Sequence, residues 1–119
     1  MDIRTRYYDD VAILSLSGRL DSVSAAQFSN AVAAQMAAGY VRLVIDLEKV
    51  DFLTSAGIKA MIMGVQHTRR QGGDFRIAHA QAQVKQVLNL AGVDTVIKLY
   101  PNVVGATASY FPGRMTDPT

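Results

Sequence analysis

The chain has 119 residues, a formal net charge of +2 and no cysteine, which suits one domain with its own core and excludes disulfides, thiolate nucleophiles and cysteine-type zinc sites. Its basic residues are scattered apart from Arg69-Arg70, unlike the footprint of a nucleic-acid binder. The N-terminus is charged and no run of about 18 apolar residues occurs, so neither secretion nor membrane spanning is predicted and a cytoplasmic location is expected.

In chain order, Ile3 to Tyr7 and Val11 to Ser17 read as a hairpin, because Tyr8-Asp9-Asp10 supplies turn residues between strand-like runs. Ser24-Ala25-Ala26-Gln27 has capping-box spacing, and Phe28, Val32 and Met36 recur every four residues until Gly39, which predicts a helix. Val41 to Leu47 is a short apolar run of the kind that forms a strand covered on both faces. Thr54-Ser55-Ala56-Gly57 then opens a second helix, whose stripe of Ile58, Met61, Ile62 and Val65 ends at Gln71-Gly72-Gly73. Helical phase puts Met61 in the core and turns Lys59 and Met63 elsewhere, where they can meet a partner. Phe75 to Ala78 is a third core strand. Val84, Val87, Leu88 and Ala91 form another stripe ending at Gly92, Val96 to Leu99 gives a last strand before Pro101, and Val103 to Tyr110 a last helix. Pro112 and Pro118 predict a loose tail over 112–119, leaving 1–111 as one domain.

Alternation of strands and helices predicts an α/β fold with a single mixed, mostly parallel sheet of about four or five strands flanked by about four helices. Ligands and chemistry collect beyond the carboxyl ends of strands in such sheets, where Ser55 lies. The first amides of a helix lack intrahelical acceptors and the peptide dipoles sum to a partial positive charge there, so a phosphoryl group on Ser55 would be stabilised. Serine and threonine are also ordinary N-caps contributing about 1 kcal/mol, and the residues alone leave both readings open. A hydrolase is not predicted. His67 lies roughly 18 Å along the helix from Ser55 at 1.5 Å per residue, His79 reads as a strand-end polar residue, and no G-x-S-x-G elbow surrounds the serine. Gly72-Gly73 is a helix stop without the spacing of a phosphate-binding loop. No cofactor or metal site is expected.

Leu47-x-x-Val50-x-Phe52-Leu53-Thr54-Ser55-Ala56-Gly57-Ile58 resembles the D-L-x-x-V-x-F-[ILM]-[DTS]-S-[SAT]-G-[LI] signature of STAS domains, the fold of bacterial anti-sigma factor antagonists. Gly18-Arg19-Leu20-Asp21 is similar to the G-x-L-D before that family's first helix. Val84-Lys85-Gln86-Val87-Leu88 with Ala91-Gly92-Val93 resembles its late helix, so the likeness spans about residues 5 to 110. The resemblance implies the STAS fold and a non-enzymatic partner-switching role. The unphosphorylated form would bind an anti-sigma factor that is also a serine kinase of the histidine-kinase-like ATPase type. Phosphorylation of Ser55, with Thr54 as second choice, would release it, and a PP2C-type serine phosphatase would reset it. By the same resemblance Asp21 aligns with a loop aspartate near the serine and Asp46 with a strand-end Asp or Asn. The partner surface would comprise Asp21, Asp46, Thr54, Ser55, Ala56, Gly57, Lys59 and Met63. Thr54 and Ala56 stand where the family often has Asp and Ser. They keep a second reading in view: a STAS interaction module outside sigma control, a scaffold or transporter-complex subunit never phosphorylated at Ser55.

Overall fold

A computed structural model of the protein describes residues 1–113; of the tail expected over 112–119, residues 114–119 lie outside the described residues. The strands are β1 (Asp2–Tyr8), β2 (Val11–Leu20), β3 (Arg42–Leu53), β4 (Asp74–Ala78) and β5 (Leu99–Tyr100). The helices are α1 (Ser22–Ala37), α2 (Ser55–Arg70), α3 (Ala82–Leu90) and α4 (Val103–Ala108), with a 3-10 turn over Val93–Thr95. The five strands form one sheet in the order β1-β2-β3-β4-β5. β1 runs antiparallel to β2 and every later pair is parallel, the mixed α/β architecture expected from the alternation of elements.

Period-two alternation decides which face each strand residue serves. Leu14, Leu16, Leu43, Ile45, Leu47, Phe75 and Ile77 point to one face, where Phe28 and Val32 of α1, Met61 and Val65 of α2, and Val84 and Leu88 of α3 cover them. The opposite face buries Val11, Ile13, Val44 and Ala78 against α4 and Tyr110. Tyr110 Oη donates to the Leu43 carbonyl at 2.8 Å, and burial pushes its phenol well above the ordinary tyrosine range. The guanidinium of Arg76 lies 3.9 Å from the centroid of its ring.

Several boundaries differ from the sequence reading, each for a tertiary reason. β2 and β3 stay paired through register shifts at Ser15/Ser17 and Gly18/Arg19, so both run on to Leu20 and Leu53. The Ser24–Gln27 capping box is displaced by three residues: Asp21 is the N-cap and Ser24 the third helical residue. Gly92, at φ 75, ends α3 and leads into the 3-10 turn, so the last strand begins at Leu99 opposite Ile77 instead of at Val96. Ile97 is nevertheless buried. The last helix stops at Ala108 rather than Tyr110.

Candidate functional site

The carboxyl ends of β2 and β3 place two helix starts side by side. Thr54 is the N-cap of α2: its Oγ1 accepts from the Gly57 amide at 3.4 Å and donates to the Leu20 carbonyl at 3.3 Å. The Thr54 amide donates to the same carbonyl at 3.0 Å. This hydroxyl is therefore committed to the fold, whereas Ser55, the first helical residue, is exposed and takes no part in the cap. Gly57 permits the close approach. A Cβ there would lie 2.8 Å from Leu20 Cγ, from the Leu20 carbonyl oxygen and from Leu53 Cδ1, so any side chain would force α2 away from the strand ends.

Across the turn, Asp21 Oδ1 accepts from the amides of Val23 at 3.1 Å and Ser24 at 3.0 Å. Ser24 Oγ in turn accepts from the Asp21 amide at 2.9 Å. The Ser24 amide bond first, then the Ser24 hydroxyl, the Val23 amide and the Arg19 charge, outweigh desolvation and hold the Asp21 carboxyl below its usual range. Arg19 stands 3.9 Å from Asp21 Oδ2 and 4.4 Å over the ring of Phe52. Arg19, Phe52 and Val23, the last 83% exposed, border the site; Arg19 and Phe52 belong to the STAS-like motifs, but the sequence assigns none of the three a contact role. Strand alternation opposes Arg19 and Phe52 to the buried Leu20 and Leu53, which was the available signal, but it required the β2–β3 register.

Along α2 the expected contact residues divide as helical phase requires. Ala56 is half-buried, Gly57 and Met61 are buried, and Lys59 and Met63 are exposed. Ser55, Lys59 and Met63 recur at four-residue spacing and share one face. Asp46 does not join them. Because β3 extends to Leu53, Asp46 lies within the strand, where its Oδ2 accepts from Ser15 Oγ at 2.9 Å and its Oδ1 from the Glu48 amide at 3.1 Å. The structure thus brings Asp21 to the Ser55 turn and keeps Asp46 with Ser15, correcting the expectation that Asp46 ends its strand.

Chemically, the turn offers an exposed hydroxyl on a helix N-terminus with no acidic residue in its first turn, a place suited to carrying an anion. His79, one residue beyond β4, has its Nδ1 3.3 Å from Glu48 Oε2, and His67 lies near the far end of α2. Neither supplies a base at Ser55. Among the described residues no group of three or more His, Cys, Asp or Glu side chains is arranged to hold a metal ion, and no helix is long and apolar enough to cross a membrane.

The family model of the STAS domain matches residues 2–106, and the chain belongs to that family. It is 28% identical over 108 residues to the anti-sigma-F factor antagonist RsfB of Mycobacterium tuberculosis, covering 91% of this chain and 88% of RsfB. A crystal structure of an anti-sigma factor antagonist from Mycobacterium paratuberculosis superposes with a TM-score of 0.82 at 29% identity, over 91% of this chain and 92% of that one. The Bacillus cell fate determinant SpoIIAA in its phosphorylated form shares the fold at a TM-score of 0.71 and 13% identity, over 92% of this chain and 99% of that one.

Proposed function

We propose that this protein is an anti-sigma factor antagonist of the partner-switching kind, a non-enzymatic cytoplasmic module controlled at Ser55. The observation that carries the reading is the contrast within one turn: the Thr54 hydroxyl is consumed by capping, while Ser55 stands exposed on an N-terminus without an acidic neighbour in its first turn. The reading is supported by the names of its relatives, anti-sigma factor antagonists from two mycobacteria, and by a phosphorylated form of SpoIIAA on the same fold.

In the unphosphorylated state the surface of Asp21, Ser55, Ala56, Lys59 and Met63 docks on an anti-sigma factor that is also a serine kinase of the histidine-kinase-like ATPase type. The kinase positions ATP so that Ser55 Oγ attacks the γ-phosphorus. The Oγ–P bond forms, the bond from phosphorus to the ADP oxygen breaks, and the hydroxyl proton passes to a base on the kinase. The product carries about −1.5 to −2 of added charge. The α2 N-terminus stabilises that charge within this chain, but at a protein contact it is desolvated without a matched partner. Such a penalty reaches several kcal/mol, and each ~1.4 kcal/mol changes affinity tenfold. A PP2C-type phosphatase restores the hydroxyl by directing water onto phosphorus, releasing inorganic phosphate.

The test is intact-mass analysis of the protein from its native host, with the modified peptide sequenced and Ser55→Ala run beside it. One phosphate at Ser55, absent from the variant, is expected. Absence of phosphate under all growth conditions would overturn the switch and leave a constitutive binding module.

A further inference from the structure

α1 and α2 pack side by side on the same face of the sheet and together present an outer surface with an unusual charge distribution. The sixteen residues of α1 include no charged side chain. α2 carries Lys59, Arg69 and Arg70 but no carboxylate, so all ten acidic residues of the chain lie outside both helices. Arg69 is paired with Asp74 at 3.0 Å, whereas the Arg70 guanidinium donates to the Gln66 carbonyl at 3.3 Å and meets no carboxylate among the described residues. A solvent-facing helix ordinarily carries charged residues on its outer face. Depletion of charge is instead the compositional mark of an interface core.

Between the two helices runs a groove of ≈ 300 Å³, with Ala33 of α1 and Ala60 and Gly64 of α2 among its lining and His67 and Arg70 also bordering it. Gly64 lies against Phe75, whose ring would sit 2.7 Å from an added Cβ, so the space is set by packing beneath it. Met63, 56% exposed, also lines the groove and shares a helix face with Ser55.

We infer that this groove is a second docking point for a protein partner, taking an acidic amphipathic helix with an apolar side chain seated over Ala33, Ala60 and Gly64 and a carboxylate meeting Arg70 and His67. The charge distribution fits that occupant: Arg70 and His67 border one end of the groove, Lys59 stands on α2 nearer Ser55, and neither helix carries a carboxylate of its own. It is a poor match for nucleic acid or an anionic membrane, whose binding needs a wider array of cations than Arg70 with Lys59 provides. The inference deepens the docking-module reading but does not depend on Ser55 modification. The groove runs from Ala60, about one and a half turns beyond Ser55, to Arg70, about four turns beyond it, and shares Met63 with the Ser55 surface, so phosphorylation would weaken the contact nearest Ser55 and leave the one at Arg70.

The test is an NMR titration of the ¹⁵N-labelled full chain with a helical peptide built from Leu, Ala and Glu, against a counterpart carrying Lys in place of Glu. The Glu peptide is expected to shift Ala33, Met63, Gly64, His67 and Arg70 and to bind about tenfold more tightly than the Lys peptide, a difference of ~1.4 kcal/mol. Arg70→Glu, at an exposed position, should reverse that preference, and Ala33→Phe should weaken both peptides by filling the seat. Equal binding of the two peptides, no binding at millimolar concentration, or shifts confined to other faces would overturn the inference. Groove shifts on concentrating the protein alone would assign the face to a second copy, and preferential binding to anionic vesicles would assign it to a membrane; either would also overturn it. Because no phosphate or kinase is used, failure here leaves the mass measurement on Ser55 to decide the switch independently.

Discussion

The two helix starts at the carboxyl ends of β2 and β3 are neighbours built on opposite chemistry. At α1, the Asp21 carboxylate opposes the helix dipole and accepts from two backbone amides while Ser24 closes the reciprocal bond. At α2, a neutral hydroxyl accepts from one amide at 3.4 Å, and the first turn contains no acidic residue. One terminus carries its own anion; the other has an exposed serine, a neutral cap and no carboxylate in its first turn. The contrast teaches that a helix N-terminus becomes a candidate switch when its cap satisfies geometry without also supplying the charge.

The largest test of this arrangement removes its shared support. Gly57→Ala places a Cβ 2.8 Å from the Leu20 carbonyl and two leucine side chains, and should lower stability by about 2–3 kcal/mol in urea unfolding through overpacking. Because the carbonyl it strikes also receives the Thr54 amide, amide exchange should accelerate at Thr54 as well. Next, Thr54→Ala removes the α2 cap and should cost about 1 kcal/mol by the same measurement, with Ser55 remaining exposed. A full loss of folding in Thr54→Ala would mean that the two starts are mechanically coupled beyond the cap.

The smallest effect sharpens the charge difference. The Asp21 carboxyl is held below its unfolded value of 3.8, chiefly by the Ser24 amide, so its charged form stabilises the fold above that value. This contribution is lost as pH falls through the lower, folded-state value. Asp21→Asn keeps an oxygen acceptor but not the charge. Wild type should therefore be the more stable at pH 7, and the gap should close in acid unfolding below pH 3.8. A gap that persists unchanged into acid would assign the role of Asp21 to hydrogen-bond geometry alone.

The legible parts of this molecule were those written in local periodicity. The Phe28–Val32–Met36 and Ile58–Met61–Val65 stripes gave the helices and their buried faces, and the turn residues Asp9-Asp10 gave the hairpin. The Thr54–Gly57 spacing placed Ser55 at a helix start, and phase alone separated buried Met61 from exposed Met63 and Lys59. Periodicity reports which face a residue serves, but it carries no information about what lies opposite. For that reason the continuation of β3 to Leu53, the removal of Asp46 from the site and the stacking of Arg19 on Phe52 emerged only from strand register.

The division between Thr54 and Ser55 was decided the same way. Both are hydroxyl residues at adjacent positions of one motif, and either could cap a helix. Leu20, 34 residues earlier in the chain, supplies the carbonyl that draws in the Thr54 hydroxyl. The sequence by itself determined that a hydroxyl would stand at this helix start. Only the tertiary contact between β2 and the start of α2 decided which hydroxyl was used for folding and which was left exposed.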